Sequence, residues 1–138
     1  MGLLLIDCDR FKQVNDEHGH LIGDRVLQGV ANILRSVAGP DDLACRLGGD
    51  EFCLLMVAEN REEVMRFADF VVSTAQGLMQ MVHGAPLMCP LSVGACLVDP
   101  TKDWNDWYAR ADEGLYRAKR MGGNCVQWQD HDAELTSA

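Results

Sequence analysis

The distribution of hydrophobic and polar positions divides the chain into short strand-like runs and longer helix-like runs. Residues 3–8 form a nearly continuous apolar run that ends in acidic residues, as expected of a central strand covered on both faces. Residues 10–20 are mostly polar and predict a short helix and a loop. Residues 23–36 repeat apolar side chains at helical spacing, which predicts an amphipathic helix that Gly39 and Pro40 end.

A tight hairpin is predicted around the run Leu47-Gly48-Gly49-Asp50-Glu51-Phe52. Glycine reaches the positive φ angles of a two-residue turn without steric cost, and strand-like runs lie on both sides. With the two glycines as the turn, Leu47 pairs with Asp50 and Arg46 with Glu51, so two adjacent carboxylates lie at the rim of a sheet on opposite faces. On spacing alone, the alternative is an ordinary hairpin with a solvated acidic tip.

The second half of the chain predicts two more helices and two more strands. Asn60 and Glu63 form a capping-box-like pair, and Asp103 is a second N-cap candidate. The polar tail, residues 129–138, is expected to be flexible. The predicted elements are a helix from Asn60 to about Met81, a strand at residues 91–98, a helix from Asp103 to Gly122, and a short strand at residues 124–128.

The element order predicts an α+β fold of the ferredoxin-like or palm type, with an antiparallel-containing sheet flanked by helices that we expect on one side. At 138 residues the chain can bury one sizeable core, so residues 1–138 are expected to form a single domain. In a βαββ arrangement of this type, the first strand ends at the sheet edge where the hairpin turns. Asp7 and Asp50 are therefore expected to meet.

Composition argues against two classes of function. The formal net charge is -9 at pH 7, whereas a general nucleic-acid surface shows clustered lysine and arginine. No apolar run approaches membrane-spanning length and no signal peptide is evident. We therefore expect a cytoplasmic domain without nucleic-acid or membrane contact. An acidic protein that binds a polyphosphate needs local cations, so metal ions become expected partners.

The six cysteines show no C-x-x-C pair, and most lie in apolar runs. Free, buried thiols in a reducing cytoplasm are favoured over disulfides or a zinc site. The cysteines are Cys8, Cys45, Cys53, Cys89, Cys96 and Cys125.

Several polar side chains have both a chemical and a structural interpretation. Asp7 and Asp9 share one side of the first strand if it continues that far, and two carboxylates at a strand end suit Mg²⁺, while Asp9 is equally a helix cap. Asn15 offers a donor and an acceptor, and Asp24 can accept from the N1–H and amine of guanine. Their structural alternatives are a turn residue and a first-turn helix acid. Lys119 lies near the end of a predicted helix, and its structural interpretation is a solvated lysine that suits the helix C-terminus.

The hairpin run, with Arg46 before it, resembles the signature of the GGDEF family, the diguanylate cyclases. The resemblance extends over nearly the whole chain, in family order and with family-like spacing. Its other motifs are Leu3-Leu4-Leu5-Ile6-Asp7-Cys8-Asp9-Arg10-Phe11-Lys12, Asn15-Asp16, Gly19-His20, Gly23-Asp24, Ala111-Asp112, Leu115-Tyr116 and Ala118-Lys119.

The resemblance implies an enzyme that condenses two GTP molecules into cyclic di-GMP with release of two pyrophosphates. It implies two Mg²⁺ ions per active site, with Mn²⁺ as an alternative, held by Asp7, the backbone carbonyl of Cys8, and Asp50. Asp50 or Glu51 assists deprotonation of the attacking 3'-hydroxyl, and the sequence leaves open which. One hairpin site holds one GTP, so an antiparallel homodimer is expected for catalysis.

The resemblance also assigns the parts of the chain that bind the nucleotide. Asn15 and Asp24 correspond to the residues that read guanine in the family, and these two residues can also recognise the product. The phosphate-binding positions are Phe11, Lys12, Gly48, Gly49 and Lys119.

Three departures from the family pattern bear on regulation and affinity. The inhibitory product site, Arg-x-x-Asp before the hairpin, retains only Asp42, because Gly39 stands in place of the arginine, and we predict that this site is lost or weak. Gly123 occupies a position where many members carry arginine, which reduces triphosphate affinity unless Arg120 or Lys12 compensates. The helix and motif that usually precede the first strand are absent, so the domain is expected to be N-terminally truncated from an upstream sensory or dimerising region.

Two other functions compete with the cyclase hypothesis. A degenerate GGDEF module would bind GTP or cyclic di-GMP and signal without catalysis, although Asp7, Asp50 and Glu51 are all present. A cyclase acting on a different purine nucleotide is the second alternative, against which Asn15 and Asp24 favour guanine.

Overall fold

The computed structural model describes residues 1–77, 79–82 and 85–129, and the outer part of the predicted tail, residues 130–138, lies outside this range. Among the described residues, no helix is long and apolar enough to cross a membrane. The elements are β1 (Gly2–Cys8), α1 (Phe11–His18), α2 (His20–Val37), β2 (Leu43–Gly48), β3 (Glu51–Met56), α3 (Arg61–Gln76), β4 (Met79–Val82), β5 (Ala85–Met88), β6 (Leu91–Leu97), α4 (Trp104–Arg120) and β7 (Val126–Trp128).

Within residues 1–77, 79–82 and 85–129, five strands form one sheet in the order β2-β3-β1-β6-β7, and β4 and β5 form a separate hairpin. The central strand β1 is buried along its whole length and pairs antiparallel with both β3 and β6. Strands β6 and β7 are parallel, which makes the sheet mixed. The predicted α+β sheet flanked by helices is confirmed, and β1 has the central place that its apolar run predicts.

The helices lie on both faces of the sheet, so the expectation that they lie on one side is wrong. Leu4 and Ile6 of β1 belong to the core cluster that contains α2 and α3. Leu3 and Leu5, which point the other way, pack with α4. Because successive strand residues alternate between faces, an apolar run such as β1 has two faces to cover.

Close backbone packing fixes α4 against the sheet. A Cβ atom built on Gly94 of β6 would lie 1.9 Å from the Ala111 carbonyl oxygen and 2.3 Å from the Leu115 nitrogen. A Cβ atom on Gly114 would lie 2.6 Å from the Gln127 carbonyl oxygen. The helix therefore approaches β6 and β7 at a distance that only glycine permits at these two positions.

The predicted helix from Asn60 to about Met81 is too long. Asn60 caps it as expected, since its side chain accepts from the Glu63 N–H at 2.9 Å. The helix ends at Gln76, where the N–H of Gly77 bonds the Thr74 carbonyl at 3.1 Å. Residues 79–82 pair instead with residues 85–88. Pairing with a later segment has overridden the local helical spacing.

The six cysteines are free, in agreement with the prediction. Cys45 and Cys53 face each other across β2 and β3 with their Sγ atoms 2.9 Å apart.

The glycine packing under α4 generates a stability prediction. Gly94→Ala should lower the free energy of unfolding by about 2–4 kcal/mol, because the added methyl meets backbone atoms that cannot rotate away. Urea unfolding measures this change. Gly77→Ala is the matched control, since Gly77 has φ -84° and its Cβ would meet only ordinary contact at 3.5 Å. Equal stability of the two variants would contradict the packing account.

Candidate active site

The hairpin that carries the acidic motif has a different register from the predicted one. Arg46 pairs with Phe52 and Gly48 with Glu51, and the register shifts between Arg46 and Gly48. The pairings of Leu47 with Asp50 and of Arg46 with Glu51 are therefore wrong, because a β-bulge adds one residue to β2. Asp50 consequently lies in the turn itself, and Glu51 begins β3.

The Arg46 side chain closes this turn. Its guanidinium donates two hydrogen bonds to the carbonyl oxygen of Gly49, from Nε at 2.8 Å and from a terminal nitrogen at 2.6 Å. Gly49 has φ 51°, a left-handed conformation that glycine adopts without strain. The arginine before the motif thus shapes the loop that presents Asp50.

Asp7 and Glu51 lie on one face of the sheet. They are direct cross-strand partners in the antiparallel pair of β1 and β3, and such partners point to the same side. The hydroxyl of Tyr108, on α4, donates to Oε1 of Glu51 at 2.8 Å. Glu51 is therefore held between the central strand and α4, whereas Asp50 approaches Asp7 from the turn.

Asp7 is a buried carboxylate with incomplete polar contacts. Its residue surface is 8% exposed. The ammonium group of Lys119 contacts Oδ2, and Oδ1 has no hydrogen-bond partner among the described residues. Burial of an unpaired carboxylate oxygen is costly, so this atom is a candidate ligand for a cation.

Asp50 and Lys119 have pKa values that reflect the charge of Asp7. Burial raises the pKa of Asp50 to about 6, together with the hydrogen bond and negative charge of Asp7, while Lys119 partly offsets the effect. Burial alone would lower the pKa of Lys119, but its contact with Asp7 and the charges of Asp50 and Asp9 raise it above the ordinary value. The predicted meeting of Asp7 and Asp50 is thus present, since the Asp7 carboxylate acts directly on the pKa of Asp50.

The donor set fits a magnesium ion better than a metal held by protein alone. No group of three or more histidine, cysteine, aspartate or glutamate side chains forms a metal site within the described residues. Mg²⁺ commonly binds one or two carboxylates and takes its other ligands from substrate phosphates and water. Asp7, with its unpartnered oxygen, and Asp50 provide such a pair.

Asp9 has a structural role that the sequence does not predict. Its side chain accepts from the Ser92 hydroxyl at 2.5 Å and from the Asn124 N–H at 2.7 Å. Within the part of the chain that the structure describes, no side chain caps the N-terminus of α1, so the capping prediction is wrong. Asp9 ties the end of β1 to β6 and to the loop before β7, with one hydrogen bond to each of its oxygens.

The two predicted guanine readers lie beside the junction of α1 and α2. Oδ1 of Asn15 is buried without a hydrogen-bond partner among the described residues, and a Cβ on Gly23 would lie 1.9 Å from it. Asp24 is exposed at the entrance of a cleft of about 510 Å³ between α2 and the β2–β3 hairpin. Leu27 and Phe52 also line this cleft. An unpartnered amide oxygen and an exposed carboxylate suit a ligand that carries hydrogen-bond donors.

A second, smaller cavity of about 280 Å³ lies at the end of β1. Of the predicted phosphate-binding residues only Lys119 lines it, while Phe11 and Lys12 lie in the first turn of α1, and Gly48 and Gly49 lie at the hairpin. Arg10, which the sequence pattern does not single out, also lines the cavity and adopts φ 56° before α1. The cavity is lined by Cys8, Asp9, Arg10, Lys119, Gly122 and Gly123.

The structure explains the glycine at position 123. Gly123 has φ 79°, and a Cβ atom there would lie 2.5 Å from Oδ2 of Asp9. An arginine would therefore collide with the structural contacts of Asp9. Arg120, one of the two residues expected to compensate, lies over the Tyr116 ring at 5.7 Å.

The remnant of the predicted product site is engaged with the backbone. Oδ2 of Asp42 accepts from the Gly39 N–H at 2.8 Å, and Oδ1 accepts from the Val57 N–H at 2.9 Å. Gly39 supplies no forked donor that would clamp a nucleotide. Asp42 therefore stabilises the loop between α2 and β2 in this structure.

Comparisons with known proteins agree with these features. The family model described as "Diguanylate cyclase, GGDEF domain" matches residues 1–125. The chain is 33% identical to diguanylate cyclase DosC of Escherichia coli K12 over 128 residues, and 38% identical to diguanylate cyclase DgcM of the same organism over 126 residues. These matches cover 92% and 91% of the chain but only 28% and 30% of the two relatives.

Solved structures show the same fold. The GGDEF domain of DgcB from Caulobacter crescentus, in complex with c-di-GMP, matches with a TM-score of 0.86 and 30% identity, covering 92% of this chain and 76% of that chain. Diguanylate cyclase SiaD from Pseudomonas aeruginosa, in complex with its activator SiaC, matches with a TM-score of 0.87 and 33% identity. This match covers 92% of this chain and 49% of that chain. The chain therefore belongs to the GGDEF domain family.

Proposed function

We propose that this chain is a diguanylate cyclase domain, which condenses two GTP molecules into cyclic di-GMP and two pyrophosphates. The observation that carries the proposal is the convergence of Asp7, Asp50 and Glu51 at one end of the sheet, beside Lys119. Family membership supports it, since the curated relatives are named diguanylate cyclases. The domain is proposed to act in the cytoplasm, within a longer protein whose upstream region receives the signal.

The proposed cation site consists of Asp7, the backbone carbonyl of Cys8, and Asp50. Bound Mg²⁺ ions, two per active site, or Mn²⁺ in their place, would stabilise negative charge at the phosphates and make the hydroxyl a better nucleophile. The coupled carboxylates support this assignment, because an added positive charge relieves their repulsion. Lys119 would then be available to a phosphate group.

The chemistry requires two copies of the chain. The 3'-hydroxyl oxygen of one GTP attacks the α-phosphorus of the other, its proton passes to Asp50 or Glu51, and the bond to the leaving pyrophosphate breaks. The same step in the opposite direction closes the ring. Since each chain offers one hairpin site, we propose an antiparallel homodimer in which two such sites face each other.

Nucleotide selection is assigned to the cleft beside α2. Asn15 and Asp24 would read guanine, and Phe11, Lys12, Gly48, Gly49 and Lys119 would contact the phosphates. A signalling module that binds GTP or cyclic di-GMP without turnover is the second candidate, favoured by the glycine at position 123 in place of a phosphate-binding arginine.

Product formation tests the proposal directly. The purified chain, at high concentration with Mg²⁺ and GTP, should form cyclic di-GMP, identified by chromatography. Asp50→Ala should reduce the rate by at least about a hundredfold, because it removes a ligand of the proposed cations. Asp69→Ala, an exposed acid on α3, is the matched control and should retain the rate.

A fused N-terminal coiled coil distinguishes a weak dimer from an inactive site. If the fused dimer binds GTP and still forms no cyclic di-GMP, the cyclase proposal is wrong and the binding module is the better description.

Cation binding should depend on pH. The pKa of Asp50 is raised to about 6, so the carboxylate needed by a cation takes up a proton as the pH falls through that value. We expect the Kd for Mg²⁺ to rise about tenfold per pH unit below about pH 6. Calorimetry between pH 5 and 8 measures this change. Asp50→Asn should bind Mg²⁺ weakly, with a Kd that does not change near pH 6. A constant Kd in the wild type would contradict the assignment.

Product binding should occur through the guanine readers alone. Because Asp42 is bonded to the backbone and Gly39 offers no side chain, cyclic di-GMP is expected at the active site only. Calorimetry should detect no cyclic di-GMP binding when Asn15→Ala and Asp24→Ala are combined. Asp42→Asn should bind it as the wild type does. Binding that survives the double substitution would show that a separate product site exists.

A further inference from the structure

The hydrogen bond between Tyr108 and Glu51 links α4 to the acidic motif at 2.8 Å. We propose that Tyr108 is a positioning residue for the cyclase reaction, which fixes the orientation of the Glu51 carboxylate on the sheet face that it shares with Asp7. The proposal rests on the proposed function. Tyr108 lies within the helix predicted from Asp103 to Gly122, and its polar contact gives it a role beyond packing.

Rigid neighbours fix the position of the Tyr108 ring. The ring of Trp104 lies against it with centroids 5.8 Å apart. The indole N–H of Trp107 donates to the Asp99 carbonyl at 2.8 Å, which anchors the first turns of α4. The close packing of α4 on Gly94 restricts the helix further. The phenol is therefore presented from a rigid element, as precise positioning of a functional side chain requires.

The hydrogen bond restricts the orientation of the Glu51 side chain and leaves its carboxylate able to take part in the reaction. Holding a glutamate side chain in one orientation costs conformational entropy. A hydrogen bond that orders Glu51 before the reaction reduces the entropy that must be lost during the reaction. A carboxylate accepts about four hydrogen bonds, so one bond from a phenol leaves acceptor positions for a proton or a cation. Burial, together with the contact and charge of Glu51, raises the pKa of Tyr108 to about 12, so the phenol remains a donor at neutral pH.

The same helix contains a matched control. Tyr116 is 59% exposed and contacts Arg120, on a different part of the surface. Tyr108→Phe and Tyr116→Phe each remove one hydroxyl oxygen and keep the ring. If Tyr108 merely stabilises the fold, its loss changes the folded fraction and leaves kcat per folded molecule unaltered.

The first test is the kinetics of cyclic di-GMP formation. For Tyr108→Phe we expect kcat per folded molecule to fall about ten- to hundredfold, the order of magnitude for loss of a hydrogen bond to a charged group. The KM for GTP should stay within about twofold, because Glu51 is not assigned to nucleotide binding. Tyr116→Phe should keep both values. An unchanged kcat in Tyr108→Phe, or an equal fall in both variants, would overturn the proposal.

The second test observes Glu51 itself and does not require turnover. Glutamate labelled with carbon-13 at the side-chain carboxyl gives an NMR signal for Glu51 that is assigned by its loss in Glu51→Gln. Tyr108→Phe should shift this signal and Tyr116→Phe should leave it in place. A signal that does not move shows that the contact is absent in solution and overturns the proposal. If the wild type forms no cyclic di-GMP while the signal does move, the contact stands and the role in the reaction falls with the proposed function.

Discussion

The buried carboxylate of Asp7, at the end of the central strand, is the constraint on which the rest of the site depends. An ionised carboxylate in such a position must be compensated, because removal from water costs several kcal/mol when no partner is present. Lys119 compensates one oxygen, and Asp50 adds a second negative charge nearby. Burial, together with the hydrogen bond and negative charge of Asp7, raises the pKa of Asp50. A divalent cation bound to both carboxylates would offset their negative charge, and the proposed reaction needs such a cation.

The position of α4 decides whether this arrangement forms. Tyr108 and Lys119 are separated by eleven residues, about three helical turns, so they lie on nearly the same side of the helix. Their long side chains reach Glu51 and Asp7, which are themselves cross-strand neighbours. Glycine at position 94 allows the helix to come close enough for both contacts. Packing, and not the acidic motif alone, thus sets the geometry of the site.

The fold and the meeting of Asp7 with Asp50 could be predicted from the sequence, since both depend on the order of strongly patterned elements. The register of the hairpin could not. The bulge after Arg46 depends on a side chain that folds back onto the turn, and a pair of glycines does not encode that contact. The role of Asp9 was missed because its partners, Ser92 and Asn124, are distant in sequence. The site residues were therefore predicted from the family resemblance, while the contacts of Arg46 and Asp9 depend on packing that the sequence pattern does not show.

A crystal structure with Mg²⁺ and a non-reactive GTP analogue tests the central claim most directly. The account predicts a cation bound to Asp7 and Asp50, guanine at Asn15 and Asp24, and Lys119 moved from Asp7 to the phosphates. An analogue bound elsewhere, with the ammonium of Lys119 still on Asp7, would contradict it.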